Sequence, residues 1–217
     1  MGIEQNPAGV LPKPHKFFER FLNNDLEKLS VELQERYDSI KNATLRGVTP
    51  VTDTDIWKES NSISTMKWQQ YNVFQFHVPE IRKLYDEVSS MIHEACDYYG
   101  IDFKEQNYML QGWFNINESG NGKLDWHDHG PAGAPFFHGY YCVKAEPSET
   151  HYMIFNRERK ININKDNRAV VSEMGHPHAM GDWDWDGPRI TIAYDVIPLS
   201  VLSGNKEIPE QHWIPLS

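Results

Sequence analysis

His127 and His129 stand one residue apart in the stretch Leu124-Asp-Trp-His-Asp-His-Gly130. Side chains two positions apart in a β-strand leave the same face, so this spacing aims two imidazoles at one point. Neutral imidazole is the commonest protein metal ligand, and two rings on one face need one further group from elsewhere to complete a facial triad. The candidates lie downstream in Gly175-His-Pro-His-Ala-Met180, which offers His176 and His178. Arg189 then opens the run Arg189-Ile-Thr-Ile-Ala-Tyr-Asp-Val196. Its alternation puts Arg189, Thr191, Ala193 and Asp195 on one face and Ile190, Ile192 and Tyr194 on the other. A planar guanidinium beside a hydroxyl suits a carboxylate.

These residues need strands to carry them. After Gly100 the chain reads as short apolar or alternating runs separated by turn residues: 108–117, 124–129, 136–144, 152–155, 169–174 and 189–197. Glu118-Ser-Gly-Asn-Gly122 is a turn signal between the first two. In the run 124–129, Leu124 and Trp126 alternate with the histidines and are expected against the core, while Asp125 shares the histidine face. The first hundred residues are mainly helical in pattern. Apolar residues from Phe18 to Tyr37 follow steps of three and four, with Asn24 or Asp25 as a cap. A stronger helix opens at Pro79 and ends at Gly100. The segment 42–77, with Trp57 and Trp68, reads as loops and short strands, and residues 1–15, with three prolines, as an extended arm. Helices followed by strands argue for an α+β fold, a curved antiparallel sandwich with the helices on one outer face. One domain over 1–217 is expected: helical support to 100, a β core over 101–200, and a C-terminal tail over 201–217.

Composition narrows the function. The chain has 21 basic and 31 acidic residues, a net charge of −10, which disfavours tracking along nucleic acid. Cys96 and Cys142, far apart, read as buried thiols and not as a disulfide framework. No apolar run is long enough to span a membrane, and the first residues carry neither a secretion signal nor, with Asn6, a good myristoylation site. A reducing cytoplasm fits these features. The run 156–167, with Arg157, Arg159, Lys160 and Lys165, reads as a basic surface loop or lid. His138 and His151 read as ordinary histidines, and Trp113, Phe136, Phe137, Tyr140, Tyr141 and Trp183 as core or pocket wall.

Trp113-Phe-Asn115, His127-x-His129, Gly139-Tyr-Tyr-Cys-Val143, His178 and Arg189-Ile-Thr191 occur in this order, with eleven residues from His178 to Arg189. This series resembles the Fe(II)/2-oxoglutarate-dependent dioxygenase superfamily, in its small hydroxylase-like branch, over residues 108–197. The resemblance implies a double-stranded β-helix (jelly-roll) core with iron at its mouth. It further implies His127 as first ligand, His178 as distal ligand, and Arg189 with Thr191 and Asn115 around 2-oxoglutarate. The activity implied is hydroxylation of a small-molecule or peptide substrate with O2, releasing succinate and CO2. The sequence departs from the pattern at His129, which stands where Asp or Glu is common. Either His127, His129 and His178 hold the iron together, or Asp125 or a water completes the site. A cupin-like three-histidine dioxygenase without 2-oxoglutarate and a non-catalytic jelly-roll module are the competing readings.

Overall fold

The computed structural model describes residues 13–44, 62–65, 71–117, 124–130, 136–155, 157–183, 186–204 and 213–217. The N-terminal arm up to residue 12, Trp57, Trp68, Asp184 and the turn at 118–122 lie outside the described residues. Two antiparallel sheets and a pair of long helices make up the fold.

The larger sheet is built from β1 (Phe18–Phe21), β2 (Ser62–Ser64), β3 (Tyr108–Asn117), β5 (Phe137–Lys144), β8 (Arg168–Glu173), β10 (Arg189–Pro198) and β11 (Ile214–Pro215). Its order is β1-β8-β5-β10-β3-β11, with β2 also on β3. The smaller sheet contains β4 (Leu124–His127), β6 (Glu149–Ile154), β7 (Glu158–Ile163) and β9 (His178–Met180) in the order β4-β9-β6-β7. Helices α1 (Leu26–Thr44) and α2 (Pro79–Tyr99) pack on one face of the larger sheet; α3 (Phe103–Gln106) and α4 (Leu199–Gly204) are short.

Alternation divides the larger sheet cleanly. Ile190, Ile192, Tyr194 and Val196 of β10 join Phe137 and Tyr141 of β5, Val171 of β8, and Leu84, Val88 and Met91 of α2 in the main core. The opposite face of the same strands carries Arg189, Thr191, His138 and Tyr140, all buried. One face is oil and the other is chemistry. α2 has Pro79 at its start and Gly100 at its end, where φ is +73°, a left-handed conformation that glycine adopts without strain. Gly139 is required for another reason: a Cβ there would lie 2.1 Å from the Val170 carbonyl oxygen and 2.4 Å from the Tyr194 ring.

Three expectations are corrected. Residues 18–21 are strand β1, paired with β8, and the helix begins only at Leu26. Phe18 and Phe21 satisfy a helical step, but Phe18 is buried beneath the sheet edge while Phe21 is 67% exposed. Asp25 does cap α1, accepting from the Lys28 amide at 3.1 Å. The basic run expected as a loop contains β7, which pairs along its full length with β6. Finally, Trp126 does not face the core; it is 46% exposed. The register gives the reason, because Leu124 opposes Met180 and His127 opposes His178, so three steps on β4 match two on β9. This bulge turns Asp125 and Trp126 outward and takes Asp125 off the histidine face.

Candidate metal centre

His127 and His178 meet because β4 and β9 pair them directly across the smaller sheet. His129 lies two residues past the end of β4 and reaches toward the larger sheet, where its ring stacks on Trp113 with centroids 5.8 Å apart. Ligand atoms of His127, His129 and His178 all lie within 4.8 Å of one another, the one such group among the described residues.

Each of the three rings turns its Nδ1 to an acceptor. His127 Nδ1 is 2.8 Å from the Asp125 carbonyl oxygen, His129 Nδ1 is 2.7 Å from Asp195 Oδ1, and His178 Nδ1 is 3.4 Å from the His176 carbonyl oxygen. A carbonyl or carboxylate oxygen can only accept, so Nδ1 carries the proton and Nε2 keeps its lone pair. That is the tautomer a metal needs. Burial, and after it the neighbouring imidazoles, push His178 well below the ordinary histidine value; burial and then His129 lower His127. At His129 burial also opposes the charged form, but the Asp195 carboxylate outweighs it and the pKa is raised.

A cavity of about 70 Å³ runs from His129 and His178 past His138, Tyr140 and Thr150 to Asn115, Asn117, Thr191 and Arg189. Asn115 and Thr191 are direct partners across β3 and β10, as are Asn117 and Arg189. All four therefore leave the same face of the larger sheet. Arg189 is 6% exposed, and its Nε donates to Ser148 Oγ at 2.9 Å. Asn164 donates to the same hydroxyl at 2.9 Å, so the oxygen that orients the guanidinium is itself held. Among the described residues no carboxylate pairs with Arg189. Burial lowers its pKa, as expected for a cation without a counter-ion. The Asn115 Oδ1 atom is buried without a hydrogen-bond partner among the described residues.

All six residues expected from the sequence, His127, His129, His178, Asn115, Arg189 and Thr191, are thus brought to one place. Asp125 is not among them: its side chain is exposed and only its carbonyl serves the site. His176 lies outside the group, buried against His15 and Phe155 with ring centroids 4.7 Å away in each case. Two residues escaped the reading of the sequence. His138 is 4% exposed, stacks on His178 at 4.6 Å and has an unpartnered Nε2. Asp195 is the partner of His129. Both were findable by alternation, since Asp195 shares the Arg189 face of β10 and opposes His138 on β5.

No family model matches the chain, and no curated protein does. Solved structures do match. A Pseudomonas putida prolyl-4-hydroxylase is 11% identical, with 85% of this chain and 93% of that one covered, at a TM-score of 0.58. A Trichoplax adhaerens prolyl hydroxylase, solved with a peptide fragment of the hypoxia inducible factor oxygen degradation domain, is 14% identical over 87% of each chain, at 0.57. SnoK, a non-heme alpha ketoglutarate dependent carbocyclase from nogalamycin biosynthesis, is 9% identical over 85% of this chain and 80% of its own, at 0.55. What these likenesses establish is the fold, which this chain shares with structures of 2OG-Fe(II) oxygenases.

Proposed function

We propose that this chain is a single-domain, non-haem iron oxygenase that uses 2-oxoglutarate, with its two sheets forming a double-stranded β-helix and hydroxylation as its reaction. The residues fit the groups this requires. Three imidazoles with free Nε2 lone pairs suit divalent iron and leave coordination positions open for other ligands. In this reading His127, His129 and His178 hold the metal. Arg189 binds the far carboxylate of 2-oxoglutarate, with Thr191 and Asn115 contributing a hydroxyl and an amide. With iron bound, O2 would be the oxidant, one of its oxygen atoms going to 2-oxoglutarate as it becomes succinate and CO2 and the other to the hydroxylated product.

The protein's own part is positioning and exclusion of water. Ser148 and Asn164 fix the Arg189 fork before any ligand arrives, so little side-chain freedom is lost on binding. Tyr140 and Ala193 line the cavity between the cation and the histidines, and such low-polarity walls strengthen charge interactions inside.

One observation carries the proposal: a buried guanidinium with no carboxylate partner among the described residues shares a cavity with His129 and His178, two of the three grouped histidines. A cation so placed is costly unless an anion joins it. The test is anaerobic addition of Fe(II) and then 2-oxoglutarate. A weak visible charge-transfer band that is absent in Arg189→Ala is the expected result. Iron binding without the band favours the second reading, a three-histidine dioxygenase in which Arg189 takes a substrate carboxylate; the absence of a carboxylate from the ligand group is the observation on its side. No iron binding overturns both. The substrate class fitting the acidic surface and small cavity is a small molecule, or a peptide side chain like that presented to the Trichoplax enzyme, and not nucleic acid. Succinate release across a panel of metabolites and peptides identifies it.

A further inference from the structure

Three neutral imidazoles bring a divalent cation no charge. Asp195 is the buried-side carboxylate that answers this: its Oδ1 accepts from His129 Nδ1 at 2.7 Å, and the two side chains are only 12% and 16% exposed. Asp125 and Asp128, the other acids of the segment, are exposed. Asp195 comes from the rigid centre of the larger sheet, between β3 and β5, whereas His129 follows the end of a four-residue strand. The hydrogen bond therefore ties a ligand on a loosely held segment to the most constrained strand of the molecule.

We infer that Asp195 is a positioning residue for the metal: it fixes the His129 ring with Nε2 toward the ion and supplies, through the imidazole, the negative charge the three ligands lack. This rests on the metal reading above. A carboxylate behind a ligating histidine holds its tautomer and raises its basicity, and losing such a partner costs about 10- to 100-fold in metal affinity. Trp113, stacked on the face of the His129 ring, restricts the ring plane but offers it no acceptor.

The experiment titrates the whole protein with Co(II) under anaerobic conditions, in wild type, Asp195→Asn, Asp195→Ala and the exposed Asp128→Asn. Asparagine keeps the acceptor and removes the charge; alanine removes both. Expected are a drop of about tenfold in affinity for Asp195→Asn, a larger drop for Asp195→Ala, and no change for Asp128→Asn. In the apoproteins, ¹⁵N shifts of His129 should report the Nδ1–H tautomer in wild type and Asp195→Asn and a tautomer mixture in Asp195→Ala. That readout needs only a folded chain and no metal. Stoichiometric Co(II) binding by wild type with unaltered affinity in both Asp195 variants overturns the inference while leaving the metal reading intact. Failure of wild type to bind Co(II) overturns both.

Discussion

His178 and His176 differ by two positions and by their entire surroundings. His178 faces His127 across two strands, while His176 is packed between His15 and Phe155 and accepts from the Phe155 amide at 3.3 Å. Exchange of each for alanine separates the roles. His178→Ala is expected to abolish Fe(II) or Co(II) binding with a modest change in stability. His176→Ala should retain metal affinity within about threefold and lose about 2 kcal/mol of stability, within the usual range for a destabilising single substitution. Calorimetric metal titration and urea unfolding on both variants check the pair. Metal affinity lost equally in the two would remove the distinction. At this scale the sequence was informative because metal ligation constrains residue type and spacing together. Asp195 was harder to see: alternation puts it on the Arg189 face, but its role shows only once its neighbour across space, His129, is known.

The strands that carry these side chains were legible in proportion to how fully they are buried. β3 and β10, each sandwiched in the larger sheet, match their predicted spans to within a residue, because dense β-branched and aromatic runs admit few alternatives. β7 was read as a loop because it is an edge strand with one partner, and its two isoleucines, Ile161 and Ile163, point outward at 50% and 57% exposure. β9 has only three residues and follows a proline, too short for any periodicity. β1 shows the opposite failure, in which four residues obey a helical step by coincidence and a distant strand decides the outcome. The bulge in β4 was likewise invisible, since it depends on the partner strand. Gly139 gives a test of the element scale. Gly139→Ala places a methyl against the Val170 carbonyl and the Tyr194 ring, so a loss of about 3 kcal/mol or more is expected by chemical denaturation. A loss under 1 kcal/mol would mean that β5 and β8 are less tightly apposed than described.

Over the whole molecule, buried neutral histidines make stability depend on pH. Burial, and then the adjacent His176, lower His15 from 6.5 to about 4; His138 and His178 shift the same way. The unfolded chain takes up a proton near pH 6.5 that the folded His15 refuses until about pH 4. Stability from this ring is therefore fully present above pH 6.5 and is lost as pH falls toward 4, by up to about 3 kcal/mol. Urea midpoints of the apoprotein at pH 7.5 and 5 should show the decline, and His15→Gln should lessen it without abolishing it, because His138 and His178 contribute in the same sense; a pH-independent midpoint would contradict the burial. Metal acts in the other direction. Fe(II) or Co(II) at 100 times its Kd should add about 2.7 kcal/mol, raising Tm by about 5–11 °C for a chain of this size, and the gain should shrink in acid as the ligands protonate. The strand order has a consequence for how the molecule is made. β10 lies between β3 and β5 yet follows both in the chain, and β1 waits for β8, with Phe18 opposite Val171. During synthesis two open strand edges must stay unpaired until residues 189–198 emerge and insert between them. Such late, long-range closure makes folding slow and leaves the nascent chain most exposed to aggregation just before the strand bearing Arg189, Thr191 and Asp195 seals the sheet.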